Sequence, residues 1–117
     1  MIAIKRAYDL PKRSDCARIL VDRLWPRGVS KEALEADIWL KEVAPSDKLR
    51  KWFSHDAARW QQFEQRYITE LKENPDAWQP IVRRAHHGNV TLLYAAKDTE
   101  HNNAVVLERF LQRHLQE

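Results

Sequence analysis

Ile19-Leu20-Val21-Asp22-Arg23-Leu24-Trp25-Pro26-Arg27-Gly28 is an apolar run that stops in two arginines, an indole, a proline and a glycine. The aliphatic triplet with Leu24 and Trp25 reads as a buried strand, and Pro26 and Gly28 as the turn that ends it. A strand finished in this way points to an α/β fold, where ligands collect beyond the carboxyl ends of the strands. A planar guanidinium fork bonds two oxygens at once, so Arg23 and Arg27 are candidate ligands for a phosphate or carboxylate. Trp25 is then a candidate wall or stacking surface, and Asp22 a candidate proton carrier.

The neighbouring segments supply the rest of an α/β chain. Val90 to Ala96 is a compact apolar run between turn residues, which predicts the central strand. Ile2 to Tyr8 alternates as a strand does. About ten residues separate it from the strand at Ile19, short for a helical crossover, so either the connection is an irregular loop or the two strands run antiparallel. The turn composition of Asp9-Leu10-Pro11 through Ser14-Asp15 favours the loop.

Ser30 can cap a short helix over Lys31 to Ala36, and Ile38-Trp39-Leu40 with Val43 reads as a third strand ending at Pro45. Ser46 is placed to cap a helix carrying Leu49, Trp52 and Phe53, and Ser54 or Asp56 to start the next. From Ala57 to Glu73 the spacing of Trp60, Phe63, Tyr67 and Leu71 is helical. Asn74-Pro75 reads as a cap and first helical proline, opening a helix through Trp78, Ile81, Val82 and Ala85 that Gly88 terminates. Lys97 to Asn103 is a turn, and Ala104, Leu107, Leu111 and Leu115 form one face of a last helix.

A chain of 117 residues that is 44% hydrophobic and 32% charged fits one soluble domain, residues 1–117, around one core. The net charge of +3 makes anionic small molecules and nucleic acid plausible partners without requiring them. Five tryptophans, spread from Trp25 through Trp39, Trp52 and Trp60 to Trp78, read as core and pocket walls. The lone Cys16 excludes an internal disulfide and a cysteine-rich zinc site and suits a reducing compartment. No stretch approaches the roughly twenty apolar residues of a membrane span, so a cytoplasmic protein with no membrane partner is expected. With glycine only at 28 and 88, the chain lacks a dinucleotide fingerprint and a P-loop; no Gly-x-Ser-x-Gly elbow or metal-ligand spacing occurs. No cofactor or metal is expected.

A second candidate cluster is Tyr94-Ala95-Ala96-Lys97-Asp98-Thr99-Glu100-His101-Asn102-Asn103, leading from a buried strand into a helix. Free amides and a positive dipole end near Lys97, His101 and Asn102 outline an anion site. If this strand neighbours the one ending at Asp22 and Arg23, both clusters open on one crevice. Tyr94 would offer a second stacking ring. Arg50 and His55 enter from the helical side, and His55 and His101 join Asp22 as candidate proton carriers. Each has a structural alternative: Asp22 bonding a loop's amides, the arginines in ion pairs, Lys97 to Asn102 as a capped helix start.

These motifs resemble the domain of unknown function 488 family, in particular its short YeaO-like branch. The resemblance is carried by Lys5-Arg6-Ala7-Tyr8-Asp9, Val21 to Gly28, Ala44-Pro45-Ser46 with Leu49 to Phe53, Tyr67 with Glu70-Leu71, and Thr91 to Asp98 followed by His101-Asn102. It implies an α/β domain with a small, mostly parallel sheet of about four strands in Rossmann-like layers, and no established activity. Longer relatives have a cysteine at the position of Tyr94 and further cysteine and histidine in the turn matching Glu100 to Asn103. The absence of cysteine there denies this chain any thiol chemistry the family uses. The expected ligand is a phosphorylated or nucleotide-like anion held in a strand-end cleft, with or without a reaction. The alternatives are a nucleic-acid-binding module without catalysis, or an interaction subunit using a sheet edge.

Overall fold

Five consecutive apolar or small residues that are all buried need partners on both sides, and Val90–Tyr94 has them. In the computed structural model, which describes residues 1–116, four strands form one sheet. They are β1 (Ile2–Arg6), β2 (Ala17–Leu20), β3 (Ile38–Trp39) and β4 (Val90–Tyr94), in the order β1-β4-β2-β3. Every pairing is parallel: Ile2 and Ala17 both face Val90, Leu93 lies between Lys5 and Leu20, and Ile19 faces Ile38. β1 and β2 thus flank β4 instead of pairing with one another. Their connection is a loop holding one 3-10 turn, Arg13–Asp15, which rules out the antiparallel alternative.

Five helices accompany the sheet: α1 (Lys31–Leu34), α2 (Asp47–Phe53), α3 (Trp60–Glu73), α4 (Pro75–Ala85) and α5 (Asn103–Leu115). Ser30 and Ser46 cap α1 and α2, each accepting a hydrogen bond from the third residue of its helix. Local geometry shortens some elements. α1 stops before Ala36 because Glu35 is left-handed, with φ 50°. β3 ends at Trp39, since Leu40 leaves the extended region and Lys41–Val43 coils into a 3-10 turn. Asp56, not Ser54, starts the next segment by accepting from the Ala58 amide. The Asn74 side chain makes no capping bond, so Pro75 opens α4 unaided, and the helix closes at His86, ahead of Gly88.

Alternation along the strands divides the core in two. Val90, Leu92 and Tyr94 share a face with Ile2, Ile19 and Val21, and pack against Phe63, Tyr67, Ile81, Leu107 and Leu111 of the helices. On the opposite face Ala7, Leu20, Leu34 and Leu93 form a smaller cluster backed by Trp25 and Trp39. No helix among the described residues is long and apolar enough to cross a membrane.

The polar half of the smaller face is held by Asp15. Its carboxylate accepts from Arg18 Nη1 at 2.5 Å, Lys5 Nζ at 3.0 Å and the Lys12 amide at 2.9 Å. Arg18, itself buried, also donates to the Leu34 and Glu35 carbonyls. Burial alone would raise the Asp15 pKa, but the bonds from Lys12, Lys5 and Arg18 together outweigh it and leave the carboxyl below its ordinary range. The group therefore stabilises the fold above the unfolded-state carboxyl pKa of about 4, and this stabilisation is lost as pH falls through the lower folded value. Asp15→Ala, which strands the Arg18 guanidinium, is expected to cost about 3 kcal/mol in urea unfolding at neutral pH. Asp15→Asn is expected to flatten the acid limb of a stability-against-pH curve below about pH 4.

Candidate functional site

Because the strands are parallel, the segments after β1, β2, β3 and β4 all emerge at one edge of the sheet. There they enclose a cleft of about 830 Å³ lined by Tyr8, by residues 22–27, by Ala44 and Pro45, and by Ala95 to Asp98. Arg50, Lys51, Phe53, Ser54 and His55 close it from the α2 side, with Phe63 of α3 and with Asn102 and Asn103 at the start of α5. The pairing of β2 with β4 brings the two sequence clusters into one crevice, as their strand-end positions require.

Three charged side chains stitch the cleft together. Asp22 Oδ2 accepts from the Ala95 amide at 2.9 Å, and its Oδ1 accepts from Asn103 Nδ2 at 3.0 Å. Burial pushes the Asp22 carboxyl above the ordinary carboxylate range, against the opposing pull of those two donors and of His55. Arg23 turns to the other wall, where Nε donates to the Pro45 carbonyl at 3.2 Å and Nη2 to that of Ala44 at 3.3 Å. Arg6 braces the turn after β4 by donating to the Ala96 and Ala95 carbonyls, while its guanidinium lies 5.0 Å from the centre of the Tyr8 ring.

Other side chains form walls. Trp25 Nε1 donates to the Val29 carbonyl at 2.6 Å, and its ring meets Trp39 edge-on at 5.4 Å. Trp39 Nε1 in turn donates to the Asp22 carbonyl, so the indole pair is tied to the strand end. Phe53 stacks on Phe63 at 4.3 Å. Gly28 has φ 75°, a left-handed turn position that suits glycine.

The exposed cations behave differently from Arg23. Arg27, Lys51 and Lys97 make no hydrogen bond or ion pair among the described residues and stand at the exposed mouth. Arg50 lies beside them, 3.3 Å from Asp47. His55 is exposed with φ 57°, following Ser54 at φ 46°; this left-handed pair ends α2 and turns the chain along the cleft.

Eight of the ten residues singled out from the sequence line the cleft: Asp22, Arg23, Trp25, Arg27, Arg50, His55, Lys97 and Asn102. Two do not. Tyr94 points into the larger core, 3% exposed, where burial raises its phenol pKa, so it offers no stacking face. His101 is held outside the cleft wall by Asp98 at 3.0 Å and by the edge of Trp60 at 5.0 Å. Asn102 lines the cleft but is engaged in capping α5: it accepts from the Val105 amide and donates to the Asp98 carbonyl. Sequence reasoning passed over Lys51 and Asn103, each adjacent to a residue it chose, as well as Arg6, Tyr8 and the stacked phenylalanines.

A family model described as the inactive DUF488-N3 subclade matches residues 1–117. The chain belongs to this family. It is 42% identical to the uncharacterized protein YeaO of Escherichia coli over 111 residues, 95% of this chain and 96% of that one. It is 34% identical to the uncharacterized protein Rv3073c of Mycobacterium tuberculosis over 110 residues, 94% of this chain and 92% of that one. No solved structure matches it.

In this DUF488 domain Asp22 satisfies one backbone amide and one side-chain amide of the site's floor. Asp22→Ala is therefore expected to destabilise the fold by about 2–3 kcal/mol in denaturant unfolding. A carboxyl whose folded pKa is raised contributes fully below its unfolded value of about 4, and the contribution is lost as pH rises through the folded value. The stability lead of the native protein over Asp22→Asn is accordingly expected to narrow on passing upward from about pH 4, read from urea midpoints across a pH series.

Proposed function

We propose that the domain binds a phosphorylated or nucleotide-like small anion in the strand-end cleft, and that it holds this ligand without transforming it. The observation that carries the reading is the set of three cations, Arg27, Lys51 and Lys97, standing at the mouth of the cleft without an ion-pair partner among the described residues. With Arg23 and Arg50 the lining carries five guanidinium or ammonium groups against two carboxylates, Asp22 and Asp98. That excess gives an anion-attracting field, and low-dielectric walls focus it. The cleft's volume is in the range of small-molecule sites.

The absence of a reaction in this reading rests on the candidate proton carriers and on the family. Asp22 is engaged by two hydrogen bonds, His101 lies outside the wall, the sole cysteine, Cys16, precedes β2 away from the lining residues, and His55, which does line the cleft, is exposed with no hydrogen-bond partner among the described residues to orient its ring. The description of the matching subclade as inactive agrees with a binding role. A cytoplasmic setting goes with the reading.

The test is a thermal-shift and titration series with nucleoside monophosphates, sugar phosphates, inorganic phosphate and short single-stranded oligonucleotides at two salt concentrations. A ligand that binds only the native state raises the melting temperature. The expected result is a salt-tolerant shift with a small phosphorylated compound. Loss of a charge-assisted contact costs about 1.5–3 kcal/mol, so Arg27→Ala and Lys97→Ala are each expected to weaken binding about tenfold or more. Unchanged affinity in both variants would remove the proposal. A shift confined to oligonucleotides and erased by salt would replace it with the nucleic-acid-binding alternative.

A further inference from the structure

The polar groups of the cleft are sorted by depth. The unpaired cations are at the exposed mouth, whereas the half-buried floor presents oxygen. Asn103 carries this sorting furthest. Its Nδ2 donates both to the Val21 carbonyl at 3.1 Å and to Asp22 Oδ1 at 3.0 Å. The Val21 carbonyl can only accept, so the amide group cannot be turned over and Asn103 Oδ1 is fixed as an acceptor. That oxygen has no partner among the described residues, and Asn103 lines the cleft. Beside it, each Asp22 oxygen takes one hydrogen bond and keeps capacity for another. Arg23, the basic side chain next to Asp22, spends Nε and Nη2 on the Pro45 and Ala44 carbonyls.

This arrangement has a direction. The acceptor oxygens of Asp22 and Asn103 give a phosphate nothing to bond in the floor, and the cations at the mouth attract it, so a phosphorylated ligand enters with its anion outward. Whatever reaches the floor meets acceptors and has to bring donors, since an acceptor placed there faces oxygen and stays unsatisfied. Between floor and mouth the ligand passes the half-buried Trp25 ring, an apolar surface that matches a flat aromatic body.

Taking the anion-binding reading above as its basis, we infer that the ligand class is a nucleotide whose base carries an exocyclic amino group, directed at Asp22 and Asn103, with its phosphate at Arg27, Lys51 and Lys97. An amino group supplies two N–H donors, one for each floor acceptor. The corresponding oxo base replaces that group with a carbonyl oxygen and keeps on that edge only a single ring N–H donor, so it meets at most one of the two acceptors and sets its own oxygen against the other.

The experiment is calorimetric titration of the unaltered full chain with two matched pairs, AMP against IMP and CMP against UMP, alongside ribose 5-phosphate and inorganic phosphate, at pH 8. AMP and CMP are expected to bind at least about tenfold more tightly than their oxo partners, the factor that corresponds to about 1.4 kcal/mol. Equal affinities within both pairs overturn the inference. Ribose 5-phosphate binding as tightly as the amino nucleotides also overturns it and leaves the anion-binding reading standing. Absence of binding by every phosphorylated probe overturns both. Using matched ligands on the native protein removes any dependence on whether a floor variant folds.

Discussion

The backbone of Val90–Tyr94 is hydrogen-bonded along both flanks, to Ile2–Arg6 on one side and Ala17–Leu20 on the other, and all three strands run the same way. A strand in that position is covered on two edges and two faces, which is why its residues are all buried. Parallel direction then does the positional work. Every strand finishes at the same edge, so the segments that follow are gathered there whatever their separation in sequence. The cleft is a consequence of this gathering: Asp22 and Ala95 are neighbours because β2 and β4 end side by side, although they stand 73 positions apart in the sequence.

Parallel strand ends leave backbone groups without ladder partners, and in this chain charged side chains answer them. Arg6 bonds the Ala95 and Ala96 carbonyls, Asp22 the Ala95 amide, and Arg23 the Ala44 and Pro45 carbonyls. An arginine suits this task, since its apolar stem packs while the planar fork reaches two carbonyls at once. The same edge therefore carries two populations of charge that sequence alone presents as one. Arg6, Asp22 and Arg23 are committed to the scaffold, and Arg27, Lys51 and Lys97 are left free at the mouth.

That division marks where the sequence was legible. Periodicity and apolar runs located the strands at Ile2, Ile19 and Val90 and the helices at Trp60, Pro75 and Asn103, because these elements owe their form to burial of a patterned face. Ile38-Trp39-Leu40 was overextended, since its strand ends by a backbone change at Leu40 that the apolar pattern does not encode. Arg23 and Arg27 differ in no chemical respect. Only the position of the Ala44–Pro45 segment, brought alongside by β3, makes one a strut and leaves the other free. Tyr94 was legible in principle: counting by twos from Val90 and Leu92 sends it into the larger core, so its ring could not have faced a ligand in the crevice. The choice between Asn102 and Asn103 was not, because it depends on which residue becomes the cap and which reaches back to Val21 and Asp22.

The strength of the individual contacts decides what kind of ligand such a cleft is built for. Cations as exposed as Arg27, Lys51 and Lys97 are screened by water and salt, and an exposed ion pair contributes only about 0.2–1 kcal/mol. Three of them would hold a bare phosphate weakly. Removing apolar surface from water contributes about 25 cal/mol per Å², so covering 100–200 Å² of aromatic surface adds roughly 2.5–5 kcal/mol. The half-buried indole of Trp25 offers surface of that kind behind the charges, whereas Phe53 and Phe63 are buried in the core and only back the wall. In the proposed binding role, weak charges in front and the Trp25 indole behind favour an anion that brings a flat apolar body with it, and the charges serve to capture and orient that body more than to hold it.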